Sequence, residues 1–300
     1  MKVIALGGNA LVRRGEPAEM KLQRHNVALA IDAIAGFASE GPLVITHGNG
    51  PQVGLLAFQA QACATVTPYP LDVLNAETEG MLGYLIERAL CNRLPGREVV
   101  SLLTQVQVDP GDPAFVQPSK PIGPLYDIEQ AGRLNELYNW SVARDGAGFR
   151  RVVPSPEPLA ILEMQAIRLL LDSGAVVVCA GGGGIPVVET GDGLMVGVEA
   201  VIDKDLASAL LAIELNADQL LLLTDVDAVY LGWGSADAEP VGEATVSQLR
   251  GHSFAPGSMG PKVEAACRFV ERSGGRAFIG RLEDAKEIVE GRVGTRVVPD

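Results

Sequence analysis

Four apolar runs in this chain stop at a glycine- or aspartate-bearing turn, and that recurrence limits the fold more than any single residue does. Val3 to Leu6 runs into Gly7-Gly8-Asn9, and Leu43 to Thr46 into His47-Gly48-Asn49-Gly50-Pro51. Ala175 to Ala180 runs into Gly181-Gly182-Gly183-Gly184, and Gln219 to Leu223 into Thr224-Asp225-Val226-Asp227. Helical spacing alternates with these runs. Pro51 suits a first helical turn, where its missing N–H would have no partner anyway. Strands that are apolar throughout and alternate with helices predict a parallel or mostly parallel sheet covered on both faces. Ligands of such sheets bind beyond the carboxyl ends of the strands, which is where all four turns lie.

The remaining segments fill in an α/β chain. Val27, Ile31 and Ile34 mark a helix that ends at Glu40-Gly41-Pro42. Thr67 to Leu74 reads as an extended connection, Ala76 to Leu94 as a helix and Val99 to Val108 as one strand. The following segment, VDPGDPAFVQPSKPIGPLYD, is too proline-dense to predict a regular element. Together with the charged, helix-like Ile128–Arg144 and the stretch Phe149 to Pro154, it predicts an inserted flap at about 108–154. Met164, Ile167 and Leu171 mark another helix, and Ala277 to Ile279 and Thr295 to Val298 the last strands. At 300 residues this is one large domain or two lobes sharing a sheet, and a 47% hydrophobic, 20% charged composition argues against disorder.

The stretch VEAVIDKDLASALLA, Val198 to Ala212, concentrates charge before a helix. Leu206, Ala209, Leu210 and Ile213 follow helical spacing, so Asp205 is the expected N-cap and Lys204 the last loop residue, next to a terminus that attracts anions. A second lysine, Lys262, closes the turn GSMGPK before helical spacing resumes at Val263, and Lys120 sits in the flap. The chain carries a net charge of −13, a field that excludes nucleic acid and anionic membranes as partners. Any phosphate site must therefore rely on local lysines and backbone N–H groups. GNGPQVG does not fit G-x-G-x-x-G, GSMGPK lacks the G-K-[ST] ending of a Walker A loop, and the three histidines have no zincin spacing. PGSMG has proline where a nucleophile elbow needs glycine. Glycine turns with dispersed lysines remain, equipment for phosphoryl transfer, which needs positioning and charge stabilisation more than a protein nucleophile. His47 reads as a substrate contact or a satisfied structural histidine, and Arg150-Arg151 as a solvated pair or part of the flap. The four cysteines, Cys63, Cys91, Cys179 and Cys267, form no C-x-x-C pair, and the N-terminal apolar run is too short for a secretory signal, so a reducing cytoplasm is expected.

The blocks LGGNAL, THGNGPQVG, LTQVQVDPGDPAFVQPSKPIGP, RRVVPSPEP, GGGGIPVV, GVEAVIDKDLAS and APGSMGPKVEAA resemble the carbamate kinases of the amino acid kinase family. The resemblance implies a three-layer α/β/α sandwich around an eight-stranded, mainly parallel sheet, as a single domain over 1–300. Within it, 1–197 would form a carbamate-binding and dimerising lobe and 198–300 a nucleotide-binding lobe. It further implies a homodimer, reversible phosphoryl transfer between ATP and carbamate, a place in arginine metabolism, and Mg²⁺ carried by the nucleotide phosphates rather than by a protein cage. Carried over by position, Gly7, Gly8, Asn9, Gly48, Asn49, Gly50, Gly182 and Gly183 would hold the acceptor and the phosphoryl group. Lys120, Lys204 and Lys262 would neutralise charge, with Asp205 orienting the lysines. Asp203, Thr224, Asp225, Tyr230 and Met259 would flank the nucleotide alongside Lys204 and Lys262. Many family members carry a lysine where Ala5 stands; its absence here fits the carbamate kinases. A kinase of another small acid or phosphate, or a non-catalytic nucleotide sensor, are the alternative readings of the same fold.

Overall fold

The computed structural model describes residues 1–12, 16–17, 19–62, 65, 67–235, 237–255, 257 and 259–300; Cys63, Ser258 and the side chain of Asn9 lie outside the described residues. The strands β1 (Lys2–Leu6), β2 (Leu43–His47), β3 (Val99–Ser101), β4 (Val176–Val178), β5 (Gln219–Thr224), β6 (Glu243–Thr245), β7 (Arg276–Arg281) and β8 (Thr295–Val298) build an eight-stranded sheet in the order β6-β8-β7-β5-β1-β2-β4-β3. Every neighbouring pair is parallel except β7 and β8.

Alternate residues of each strand face opposite layers, as the pleat requires. Val3, Ala5, Val44, Val177, Leu220 and Leu222 share one core with helices α4 (Met164–Asp172), α5 (Lys204–Glu214) and α6 (Met259–Ser273). Ile4, Leu6, Ile45, Val176, Leu221 and Leu223 share the other with α1 (Met20–Ile34) and α3 (Leu71–Arg93). Two cores on opposite faces make the three layers. They also explain why the central strands carry apolar residues on both faces rather than at alternate positions only.

The adjacent strands β5, β1, β2 and β4 end almost level. Gly7 N–H donates to Leu223 O at 2.8 Å, Gly48 N–H to Leu6 O at 2.9 Å, and Cys179 N–H to Ile45 O at 3.0 Å. This register brings the four turns side by side along one edge of the molecule.

Several local expectations are corrected. Val99–Val108 is not one strand: it breaks after β3, and Gln105–Val108 joins a separate four-stranded sheet with Met195–Gly197, Ile185–Glu189 and Pro158–Ile161. The break at Leu102–Thr104 lets Thr104 turn inward to bond the glycine loop. Helix α3 starts at Leu71, directly after Pro70, because a proline just ahead of the first turn sacrifices no helical hydrogen bond. The charged stretch 128–144 is a helix only over Ile128–Tyr138, capped by Asp127, and then turns into a strand, Val142–Asp145. The proline-rich segment does contain a regular element, Lys120–Tyr126. It pairs with Gly148–Val153 through an irregular register between Ile122 and Tyr126; Pro124 falls where the ladder is broken, and Pro121, in register opposite Val152, is tolerated because the strand lies at the edge of its sheet. These two strands and Val142–Asp145 form the three-stranded antiparallel sheet of the flap.

The flap is rooted against helix α2 (Gly50–Ala60) by Ile122 and Val153, packed with Val53, Ala57, Leu71, Leu74 and Val201. Gly54 of α2 and Gly123 of the flap meet backbone to backbone. A Cβ on Gly54 would stand 2.0 Å from Gly123 Cα.

Candidate active site

Asp203, rather than Asp205, caps α5. Its Oδ1 accepts from the N–H groups of Asp205, at 2.8 Å, and Leu206, at 3.4 Å. Lys204 is thus the first helical residue and Asp205 the second, which frees the Asp205 carboxylate for other work. The expectation of Asp205 as cap misses by one half-turn, since either aspartate precedes the apolar run by a plausible distance. The helix is also buried more broadly than one stripe, with Ala207 to Ala212 all enclosed.

The three lysines, from three distant parts of the chain, converge on these two carboxylates. Lys204 Nζ lies 2.8 Å from Asp205 Oδ1, and Lys262 Nζ donates to Asp205 Oδ2 at 2.8 Å. Lys120 Nζ reaches from the flap to Asp203 Oδ2 at 2.9 Å. The Lys204–Asp205 contact is an ion pair outside hydrogen-bond angles, so the buried Lys204 ammonium has no hydrogen-bond acceptor among the described residues. Within this cluster, three ammonium groups face two carboxylates, which leaves one positive charge. Burial works against charge on Asp205, yet Lys204 and Lys262 hold its carboxylate well below the usual carboxylate range. Burial likewise opposes charge on Asp203, and Lys120 overrides it, again lowering the value. Lys204 is lowered because burial costs it more than Asp205 returns. For Lys262 the balance reverses, burial being outweighed by Asp205, and its value is raised. An anion bound against Lys204 would restore its charge balance.

The glycine loop after β4 explains its own composition. Gly182, Gly183 and Gly184 have φ of 70°, 96° and 87°, and Ala180 is held at 49°. A Cβ on Gly182 would sit 2.2 Å from Asn49 Nδ2, so this glycine also makes room for its neighbour. The loop is not a row of bare donors. Gly181 N–H donates to Glu79 Oε1 at 2.8 Å, Ala180 N–H to Thr104 Oγ1 at 2.9 Å, and Gly184 N–H to Gly181 O at 3.0 Å.

His47 is fully buried, and its Nδ1 meets Gly48 O at 3.3 Å. A carbonyl can only accept, so Nδ1 carries the proton and Nε2 is left as a lone-pair acceptor without a partner among the described residues. Burial lowers its pKa to about 4, and Lys204 adds to the effect. His47 is therefore neutral, and neither of the two sequence readings describes it fully: it is structural on one side and unsatisfied on the other.

Thr224 is buried beside the site and donates to Asp225 Oδ1 at 3.2 Å; Asp225 is exposed and its charge is felt at Lys262. Met259 begins α6, one turn before Lys262. Tyr230 stands further out: its hydroxyl donates to Asp227 Oδ2 at 3.0 Å and its ring meets the exposed Trp233 edge-on at 5.2 Å. In the flap, Arg151 stacks on Trp140 at 4.2 Å and Arg150 pairs with Asp145 at 3.2 Å, so this pair belongs to the flap's own packing.

Sequence reasoning missed a polar row on α3. Asn75, Thr78 and Glu79 are buried under the glycine turns. Asn49 Nδ2 donates to Asn75 Oδ1 at 2.9 Å and to Thr78 Oγ1 at 2.8 Å, while Glu79 accepts from Gly181 and Thr104. Burial pushes the Glu79 carboxyl up to about 8, against the pull of those N–H groups. The signal was present as polar residues at i, i+3 and i+4 in LNAETEG, a face that a helix with an apolar core would not need.

A large parallel sheet between two helical layers, with lysines and glycine turns gathered at its strand ends, defines a phosphate-handling α/β protein. The amino acid kinase family model matches residues 1–281, and the chain belongs to that family. It is 52% identical to the carbamate kinase of Haemophilus influenzae over 98% of this chain and 96% of the relative. The carbamate kinase of Pyrococcus furiosus is 47% identical over 99% of this chain and 98% of its own length. Among solved structures, carbamate kinase from Giardia lamblia bound to AMP-PNP superposes with a TM-score of 0.90 at 40% identity, covering 100% of this chain and 98% of that one.

Proposed function

We propose that this chain is an ATP-dependent phosphotransferase with carbamate kinase activity, moving a phosphoryl group reversibly between ATP and carbamate. The observation that carries this reading is the convergence of Lys120, Lys204 and Lys262 on Asp203 and Asp205, beside the glycine turns of β1, β2 and β4. In the ATP-forming direction, a β-phosphate oxygen of ADP attacks the phosphorus of carbamoyl phosphate. The new O–P bond forms as the bond to the carbamate oxygen breaks, and carbamate leaves as an anion. In the other direction a carboxylate oxygen attacks. Both nucleophiles are already ionised near neutral pH, so no general base is needed. A neutral His47 is consistent with that.

Each lysine then has a role. Lys204, buried at a helix N-terminus with donors to spare, stabilises the transferring group; Lys262 covers the nucleotide side and Lys120 closes from the flap. Gly7, Gly8, Asn9, Gly48, Asn49, Gly50, Gly182 and Gly183 form the cradle, and Asp203, Thr224, Asp225, Tyr230 and Met259 border the nucleotide. Residues 1–197 serve the acceptor and 198–300 the nucleotide. Both carboxylates of the cluster are committed to lysines, so Mg²⁺ would be held chiefly by the nucleotide phosphates, whose negative charge it would offset. Among the described residues no helix is long and apolar enough to cross a membrane. The resemblance to carbamate kinases extends the proposal to a cytoplasmic homodimer serving arginine metabolism.

The test is ATP formation from ADP, Mg²⁺ and carbamoyl phosphate by the wild type and Lys204→Ala together. The wild type is expected to turn over, and the variant to lose roughly 10²–10³-fold in kcat. No ATP from the wild type would remove the assignment; an unaffected variant would remove the role of Lys204.

A further inference from the structure

Asn49 stands at the N-cap of α2, where an asparagine ordinarily uses its side-chain oxygen to accept a backbone N–H of its own helix. Here no such bond forms. The side chain instead crosses to α3, and the hydrogen bonds there leave its orientation no freedom. Asn75 Nδ2 donates to Ala200 O at 3.0 Å, and a carbonyl can only accept, so Asn75 Oδ1 must be the atom that faces Asn49. Thr78 Oγ1 lies 3.0 Å from both Leu74 O and Asn75 O, which commits its single proton to its own helix. Toward Asn49 it too can only accept. Asn49 therefore gives both amide protons to α3, at 2.9 and 2.8 Å, and must turn its Oδ1 the other way. The amide lies flat against Gly182, with Oδ1 only 2.5 Å from where a Cβ would be, and among the described residues no donor is directed at that oxygen.

We propose that Asn75 and Thr78 are positioning residues that lock Asn49 with its carbonyl oxygen toward the acceptor, so that the site selects a substrate carrying an N–H donor next to its carboxylate. This rests on the phosphotransferase reading above and adds to it the atom of the substrate that is read. A fixed acceptor rewards the amine of carbamate and leaves an isosteric methyl unpaired, the kind of contrast that separates close analogues strongly.

The experiment compares carbamoyl phosphate with acetyl phosphate, its methyl isostere, as phosphoryl donors to ADP in the wild type, Thr78→Val, Thr78→Ser and Asn75→Ser. The wild type is expected to prefer carbamoyl phosphate in kcat/KM by more than about tenfold. Thr78→Val is expected to lose roughly 5- to 10-fold in kcat/KM on carbamoyl phosphate, the worth of one oriented hydrogen bond, with acetyl phosphate changed less than about twofold. Thr78→Ser, which keeps the acceptor, restores the ratio. ADP affinity by calorimetry shows that each variant is folded, and Asn75→Ser reads the same ratio should Thr78→Val fail to fold. An unmoved ratio in a folded variant, an equal loss on both donors, or a wild type that accepts both alike would overturn the proposal. A wild type that makes no ATP from carbamoyl phosphate would instead remove the underlying assignment.

Discussion

Asp205 is the residue on which the site's charge balance turns. It is almost wholly buried and holds two ammonium groups at 2.8 Å each, one from its own helix and one 57 positions further along the chain. Substituting asparagine would leave Lys204 and Lys262 side by side, with only Asp203 and Asp225 left to offset their charge. Breaking a buried ion pair by removing one partner costs about 3–5 kcal/mol. Asp205→Asn is therefore expected to lose that much unfolding free energy, seen as a lower urea midpoint, and to recover part of the loss when a nucleotide supplies the missing negative charge. Urea titrations with and without ADP check both effects; a variant as stable as the wild type without ligand would contradict the charge balance. The two aspartates were visible in the sequence, but their division of labour was not. Only the helix geometry shows that Asp203 caps while Asp205 binds lysines.

At the scale of elements, the flap reaches the site because α2 lets it come close. Gly54 and Gly123 allow backbone contact, and Gly123 also adopts a φ of 74° that a side chain would strain. Gly54→Ala improves helix propensity by about 1 kcal/mol, yet its methyl would overlap the flap backbone. The flap is expected to be displaced and Lys120 drawn from Asp203, with KM for carbamoyl phosphate rising at least about tenfold while ADP affinity stays within twofold. Steady-state kinetics and calorimetry separate the two. Equal losses on both ligands would mean that Gly54 supports the whole fold rather than the flap. The flap's antiparallel sheet could not be read in advance. Its prolines signal irregular backbone, and the pairing they tolerate depends on a partner strand about 30 residues away in the chain.

For the molecule as a whole, two buried titratable groups beneath the cradle link stability to pH in opposite senses. His47 drops from 6.5 to about 4, so the unfolded chain takes up its proton first and this contribution is lost as pH falls from about 6.5 to 4. Glu79 rises from 4.5 to about 8, so its contribution is complete below about 4.5 and is lost as pH climbs toward 8. The two slopes oppose one another between about 4.5 and 6.5. Of the two, only Glu79 acts above 6.5, and it is expected to lower stability by up to about 1.4 kcal/mol per pH unit until pH 8. In Glu79→Gln that fall should disappear. Unfolding free energies of both proteins at pH 6.5, 7.25 and 8 provide the comparison, and parallel curves would rule Glu79 out as the source.

The order of apolar runs and turns already determines a parallel sheet with its ligand edge at the strand carboxyl ends, because each strand's burial on two faces is written in its own residues. The glycine turns and the three lysines could likewise be singled out one by one, since backbone freedom and charge are properties of a residue type. Which lysine meets which carboxylate, why Asn49 leaves its own helix uncapped, and how Glu79 comes to lie beneath the glycine loop depend on side chains that are far apart in sequence. Those relations exist only once the two cores have packed. The strands are then held level, and α3 can press a short polar row against turns it could not otherwise reach.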